Sequence, residues 1–143
     1  MPPPPTIAAI HEALVAEFAP LKGHHSLLLT HLLALGEALE PLAAQDKCPA
    51  HQVHGCLSKA WIKGRYHAPY LHFGAESDAL MTRGLLSLLV RLYSGQPPEA
   101  ILAWGVRLPE QLGLADILSM QRRNGLAHIV AYIQQMAEAS STR

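Results

Sequence analysis

The sequence has few charged residues and no excess of either sign. Of its 143 residues only 15% are charged, and eleven Lys and Arg balance eleven Asp and Glu, so the formal net charge is zero with histidine neutral. The basic residues are spread along the chain and form no stripe that could neutralise a phosphate backbone, which argues against a nucleic-acid partner. Half of the residues are hydrophobic, which excludes an intrinsically disordered chain.

Cysteines and long apolar runs are also scarce. Two cysteines cannot build the disulfide framework of a small secreted domain. The apolar run at residues 85–92 is interrupted by Ser87 and Arg91 and is shorter than the ~20 residues of a membrane span, so no membrane partner is expected. Met1 is followed by prolines instead of a basic segment and an apolar segment, so no signal peptide is expected. We therefore expect a cytoplasmic protein.

The hydrophobic pattern predicts helices, then a small sheet, then helices. Residues 1–5, with four consecutive prolines, are expected to be a disordered lead-in, and residues 6–140 to form one domain. Thr6 is predicted to cap the first helix, and a second helix fits residues 25–39. Trp61, Ile62 and Tyr66 have strand propensity and residues 70–74 alternate in polarity, which predicts two or three short antiparallel strands. This order gives an α+β fold with five to six helices.

Capping residues predict where the later helices begin. Ser77 is expected to cap a helix with Asp78 in its first turn, and Ser119 to cap the last helix. A short helix is expected to start at Pro98 and to end at Gly105.

Cys56 is the residue with the clearest chemical potential. It lies in residues 53–58 (VHGCLS), between a polar loop and a predicted strand, so its thiol is expected at an exposed tip. The thiolate is the nucleophilic form, and His54 and Lys59 are the neighbouring groups that would favour it. Gly55 permits a backbone conformation, or a close approach, that a side chain would block. The alternative is a buried structural cysteine, since free cysteine is among the most buried residue types.

A zinc site competes for the same segment. Cys48, His51, His54 and Cys56 are donors that zinc accepts. All four fall within nine residues, whereas structural zinc sites usually join two separated pairs of ligands, so we expect no metal here. A disulfide between Cys48 and Cys56 is geometrically possible but disfavoured in a reducing compartment. A cysteine hydrolase would need a His and an Asn or Asp at recognisable places, which the sequence lacks.

Several segments, taken in order, resemble the SufE family of cysteine-desulfurase partner proteins. Residues 53–61 (VHGCLSKAW) are similar to the family pattern V-x-G-C-x-S-x-V-W. Residues 77–79 (SDA) match its S-D-A helix start, and residues 93–99 (YSGQPPE) match the turn that follows that helix. Residues 118–126 (LSMQRRNGL) are similar to its closing L-S-x-x-R-x-N-G-L signature. The resemblance covers about residues 32–133.

The resemblance implies a SufE/IscU-like fold and a sulfur carrier that is not itself an enzyme. Such a protein takes persulfide sulfur from a PLP-dependent cysteine desulfurase of the SufS/CsdA type and stimulates that enzyme. It then passes the sulfur to an iron–sulfur scaffold such as a SufBCD-type complex. The carrier needs no cofactor, because the PLP belongs to the desulfurase. A homodimer is left open.

The motif also implies the site residues. It maps the persulfide acceptor onto Cys56 and nothing onto Cys48. Its aspartate after the sheet falls on Asp78, and its arginine before the last helix falls on Arg122. These two are expected to support the active loop or to contact the partner, and the same role is expected of the acceptor's neighbours His54, Gly55 and Ser58.

Overall fold

A computed structural model describes residues 3–55, 58–104 and 108–141 of the chain. Two helices, α1 (Ile7–Phe18) and α2 (His25–Ala38), precede a hairpin of strands β1 (Ala60–His67) and β2 (Tyr70–Ser77). The chain continues through α3 (Leu80–Tyr93), α4 (Pro98–Ala103), α5 (Leu108–Gln111) and the long α6 (Met120–Ser141). The predicted α+β class is confirmed, and the described residues contain one sheet of two strands.

The hairpin sets the position of the loop that precedes it. The strands pair antiparallel from Ala60 opposite Ser77 to His67 opposite Tyr70. The side chains of Ala60, Ile62 and Phe73 lie in the core, because alternate residues of a strand face one side of the sheet. The pairing register brings the residues just before β1 next to the connection between β2 and α3.

Helix α3 packs against α2, and its predicted leucine stripe is buried. Leu85, Leu88, Leu89 and Leu92 are all buried, and burial of each leucine contributes about 1.5–3 kcal/mol. The helices approach closely where two glycines meet. A Cβ on Gly36 would lie 2.5 Å from the carbonyl oxygen of Leu80, and a Cβ on Gly84 would overlap the carbonyl oxygen of Leu32. Neither position has room for a side chain.

Arg83 closes the end of this interface and ties it to the sheet. Its Nε donates to the carbonyl oxygen of Gly36 at 2.9 Å, and its Nη2 donates to that of Leu39 at 2.7 Å. The last carbonyls of a helix lack the N–H partner one turn further on, and that of Gly36 also accepts a hydrogen bond from the Leu39 N–H at 3.3 Å. The third guanidinium nitrogen, Nη1, pairs with the carboxylate of Glu76, which is buried. No role for this arginine was predicted from the sequence.

Two of the predicted helix starts are confirmed. The Thr6 hydroxyl accepts a hydrogen bond from the Ala9 N–H at 3.1 Å, and the Ser119 hydroxyl accepts one from the Arg122 N–H at 3.2 Å. The predicted cap at Ser77 is wrong. Ser77 is the last residue of β2, paired with Ala60, and α3 begins three residues later.

Two further predictions concern segments next to residues that lie outside the described ranges. Helix α4 ends at Ala103, earlier than the predicted Gly105, which lies outside the described residues. The disordered lead-in at residues 1–5 stays a prediction. Residues 1 and 2 lie outside the described part, and the carbonyl oxygen of Pro5 accepts a hydrogen bond from Gln96 Nε2 at 2.7 Å. None of the helices described is long and apolar enough to cross a membrane.

Candidate functional site

The predicted site residues lie mostly on the loop of residues 53–59, which we call the acceptor loop. Cys56, the predicted acceptor, and Leu57 lie outside the described residues. The described part of the site consists of the residues on either side of them. The loop is closed at its base, where the N–H of buried Val53 donates to the carbonyl oxygen of Ala60 at 2.8 Å. His54 and Gly55 are exposed at the other end of the described part of the loop.

Lys59, on the side of the loop that follows Cys56 and Leu57, is hydrogen-bonded to the connection between β2 and α3. The Lys59 N–H donates to Asp78 Oδ1 at 3.0 Å, and the Asp78 N–H donates back to the Lys59 carbonyl oxygen at 3.2 Å. The Ser77 hydroxyl donates to the same carbonyl at 2.7 Å. Asp78 is therefore a support of the acceptor loop.

Thr82 connects the loop to the last helix. Its Oγ1 lies 3.5 Å from the hydroxyl of Ser58 and 3.5 Å from Nη1 of Arg122. Both distances are long for hydrogen bonds, so these are loose polar contacts. Ser58 and Arg122, two residues predicted from different motifs, are brought together at Thr82, and Asp78 binds the residue after Ser58, Lys59. Sequence reasoning missed Thr82, whose one signal is a polar residue on the buried side of α3.

A small cavity lies beneath this cluster. Its volume is about 20 Å³, enough for one group of the size of a water molecule. One part of its wall is polar and the other apolar, and α3 and α6 supply most of it. The lining residues are Ser58, Thr82, Leu85, Gln121, Arg122, Gly125, Leu126 and Ile129.

The residues that precede Cys56 contact α6. Gly55 has a φ of +91°. As predicted, this is a backbone conformation that glycine adopts more readily than residues with a side chain. A Cβ on Gly55 would lie 2.7–2.8 Å from three atoms of the His128 ring, so the ring occupies the space of a side chain. One helical turn further along, the Tyr132 hydroxyl donates to the carbonyl oxygen of Ala50 at 3.3 Å. Sequence patterns did not indicate His128.

Cys48 lies near Tyr132 of α6. It is a half-buried free thiol. Burial raises the pKa of Tyr132, and the negative charge of an ionised Cys48 raises that pKa further. Among the described residues no group of three or more His, Cys, Asp and Glu side chains could hold a metal ion. The zinc alternative gains no support from Cys48, His51 and His54, and its fourth ligand, Cys56, lies outside the described part.

Comparison with known proteins gives the family. A family model described as "SufE: Fe-S metabolism associated domain" matches residues 12–137. The chain belongs to the SufE family. The match includes the acceptor loop, the β2–α3 connection and the start of α6, and the predicted resemblance is confirmed. SufE membership supports a role in sulfur transfer within iron–sulfur metabolism, in association with a cysteine desulfurase.

Individual relatives agree with this assignment. An uncharacterised SufE-like protein of Rhizobium etli is 34% identical over 113 residues, covering 76% of each chain. One from Synechocystis is 30% identical over 136 residues, 95% of this chain and 82% of the relative. The SufE-like protein 1 of Arabidopsis thaliana, named as chloroplastic/mitochondrial, is 35% identical over 107 residues, 74% of this chain but 29% of that protein.

A solved structure confirms the fold. The solution structure of a hypothetical protein from Thermus thermophilus has a TM-score of 0.76 to this chain and covers 94% of it and 96% of its own length. The two sequences are 19% identical, so this likeness carries the fold and no further property.

Proposed function

We propose that the protein accepts sulfur on Cys56 from the persulfide of a PLP-dependent cysteine desulfurase and delivers it to an iron–sulfur scaffold. The observation that carries the proposal is the acceptor loop. Its V-H-G-C-L-S motif lies inside the family match, and Ser77, Asp78 and His128 hold the residues on both sides of the acceptor position. A loop held at both sides presents its tip to a partner without unfolding the domain.

The proposed step is a thiolate exchange that needs no oxidant or reductant. The Cys56 thiolate attacks the outer sulfur of the donor's persulfide, R–S–SH. A bond forms between Cys56 Sγ and that sulfur, the donor's S–S bond breaks, and the donor leaves as its own thiolate. The proton stays on the transferred sulfur. The chain itself needs no cofactor, since the desulfurase's PLP cleaves the C–S bond that first supplies the sulfur.

The remaining residues are proposed to support this step. Asp78 holds the backbone of Lys59, and the Arg122 guanidinium reaches the Ser58 side of the loop through Thr82. The cavity of about 20 Å³ lined by Ser58, Thr82 and Arg122 has room for about one atom, such as the transferred sulfur, with apolar walls from Leu85 and Ile129. We propose that such a group is sheltered there from reductants between receipt and delivery. The donor is of the SufS/CsdA type, the scaffold of the SufBCD type, and the compartment cytoplasmic.

The proposal is tested by intact-mass measurement after incubation with a desulfurase and cysteine. The parent protein and a Cys48→Ser variant are expected to gain the mass of one sulfur atom, while a Cys56→Ser variant gains none. Reduction with a thiol reagent should remove the added mass, which distinguishes a persulfide from other modifications. A Cys56→Ser protein that gains sulfur as the parent does would overturn the assignment.

A further inference from the structure

Two successive turns of α6 support the stretch of chain that leads into the acceptor loop. Residues four apart on a helix lie on one face, and His128 and Tyr132 are such a pair. Tyr132 holds the Ala50 carbonyl, and the His128 ring lies against Gly55. The side of the loop before Cys56 therefore rests on α6, whereas the side after it is bonded to the β2–α3 connection.

We propose that His128 is a positioning residue for sulfur transfer: its flat ring is the support on which the Gly55 turn rests. The three atoms nearest to the missing Cβ of Gly55 all belong to this ring, at 2.7–2.8 Å from the Cβ position. A glycine with positive φ and an imidazole thus fit each other by shape. The inference rests on the function proposed for Cys56, which directly follows Gly55 in the chain.

The support acts by shape because the ring occupies the position that a Gly55 side chain would take. A turn of two exposed residues, His54 and Gly55, has few contacts of its own to fix it. Removing the ring would leave the glycine free to adopt many backbone conformations. The acceptor would then be aligned with the donor's persulfide for a smaller fraction of the time, and misplacement of reacting atoms lowers the rate of a transfer step.

His128 is not needed for the core. It is an exposed residue of α6. The buried residues of that helix are Gly125, Leu126, Ile129, Ile133, Ala137 and Ser140. Replacing His128 should therefore change the loop and leave the fold intact, which makes the inference testable with simple variants.

The test compares His128→Ala with His128→Phe, which keeps a flat ring but has no ring nitrogen. His24→Ala is the matched control, because His24 is also exposed and its side chain makes no capping bond at the start of α2. All variants carry Cys48→Ser. The measurements are the single-turnover rate of sulfur uptake across desulfurase concentrations and the hydrogen exchange of the His54 and Gly55 amides.

We expect His128→Ala to lower the maximal uptake rate on the order of tenfold without changing the half-saturating desulfurase concentration, and to speed exchange of both amides. His128→Phe should restore the rate and the protection, and His24→Ala should match the parent. The inference is overturned if the alanine variant equals the parent, if phenylalanine fails to rescue it, or if His24→Ala is equally impaired. A parent that accepts no sulfur at all refutes the proposed function instead, and the amide exchange still decides whether His128 holds the turn.

Discussion

The α2–α3 interface and the acceptor loop are held in opposite ways. At the interface two backbones meet at Gly36 and Gly84 with no space between them, and Arg83 binds the exposed end of α2. At the loop, separate contacts are made by the side chains of Asp78, Thr82 and His128, beside the backbone bonds at its base. A close-packed interface tolerates no added atom, whereas a loop held by separate contacts can change position when one is lost. Changes at the first should lower stability, and changes at the second should lower sulfur transfer.

The largest expected loss of stability comes from Gly84→Ala. The added methyl would overlap the backbone carbonyl of Leu32, which cannot move aside without shifting α2. We expect a loss of about 3 kcal/mol in the free energy of unfolding, measured by denaturant titration. Gly64→Ala is the matched control, because its Cβ would meet the flexible end of Met136 at 2.9 Å, and it should lose less than ~1 kcal/mol. Equal losses would contradict the contrast drawn between the two regions.

Asp78→Asn should lower stability only slightly and sulfur uptake strongly. The amide keeps one oxygen acceptor for the Lys59 N–H, but it loses the charge that strengthens that bond, at an expected cost of about 1 kcal/mol. Sulfur uptake should fall more than tenfold, because Asp78 holds the Lys59 backbone on the side of the loop that follows Cys56. Asp116→Asn, at an exposed carboxylate 3.8 Å from His25, is the control. An Asp78→Asn protein with full uptake would mean that the loop does not depend on this support.

The parts of the molecule that sequence patterns predicted are those encoded within short segments. The leucine stripe of α3, the caps at Thr6 and Ser119 and the acceptor loop each depend on residues close in the chain. Thr82 and His128 were missed because they meet the loop only through packing: Thr82 lies 24 residues after Ser58, and no local pattern tells which turn of α6 will face Gly55. Ser77 was misassigned for the same reason. Its capping preference is local, but pairing with Ala60 across the hairpin placed it in a strand.

The smallest expected effect concerns Glu17, which bridges three helices. Its carboxylate pairs with His31 of α2 at 2.9 Å and with Arg91 of α3 at 3.0 Å. Burial tends to raise the pKa of Glu17, but the hydrogen bonds and charges of His31 and Arg91 outweigh it and hold that pKa below its ordinary value of 4.5. The contribution to stability is therefore present above pH 4.5 and is lost as the pH falls through the lowered pKa.

The stability difference between the parent and Glu17→Gln should follow this sign. We expect a difference of less than ~1 kcal/mol near neutral pH that shrinks as the pH is lowered below 4.5, measured by urea titration at each pH. Glu12→Gln, at an exposed residue of the same helix, is the control variant. A difference that grows with acidification would reverse the assigned direction of the pKa shift.

The most direct test of the account is to locate the transferred sulfur. Cleavage after lysine and arginine leaves Cys48 and Cys56 on one peptide, residues 48–59, so fragment ions must assign the sulfur to one of the two cysteines. The protein is allowed to react with a desulfurase and cysteine, and its sulfur groups are then alkylated. We expect the additional sulfur on Cys56, and a Cys48 that carries the alkyl group alone. Additional sulfur on Cys48, or none on the peptide while the desulfurase turns over, would contradict the account.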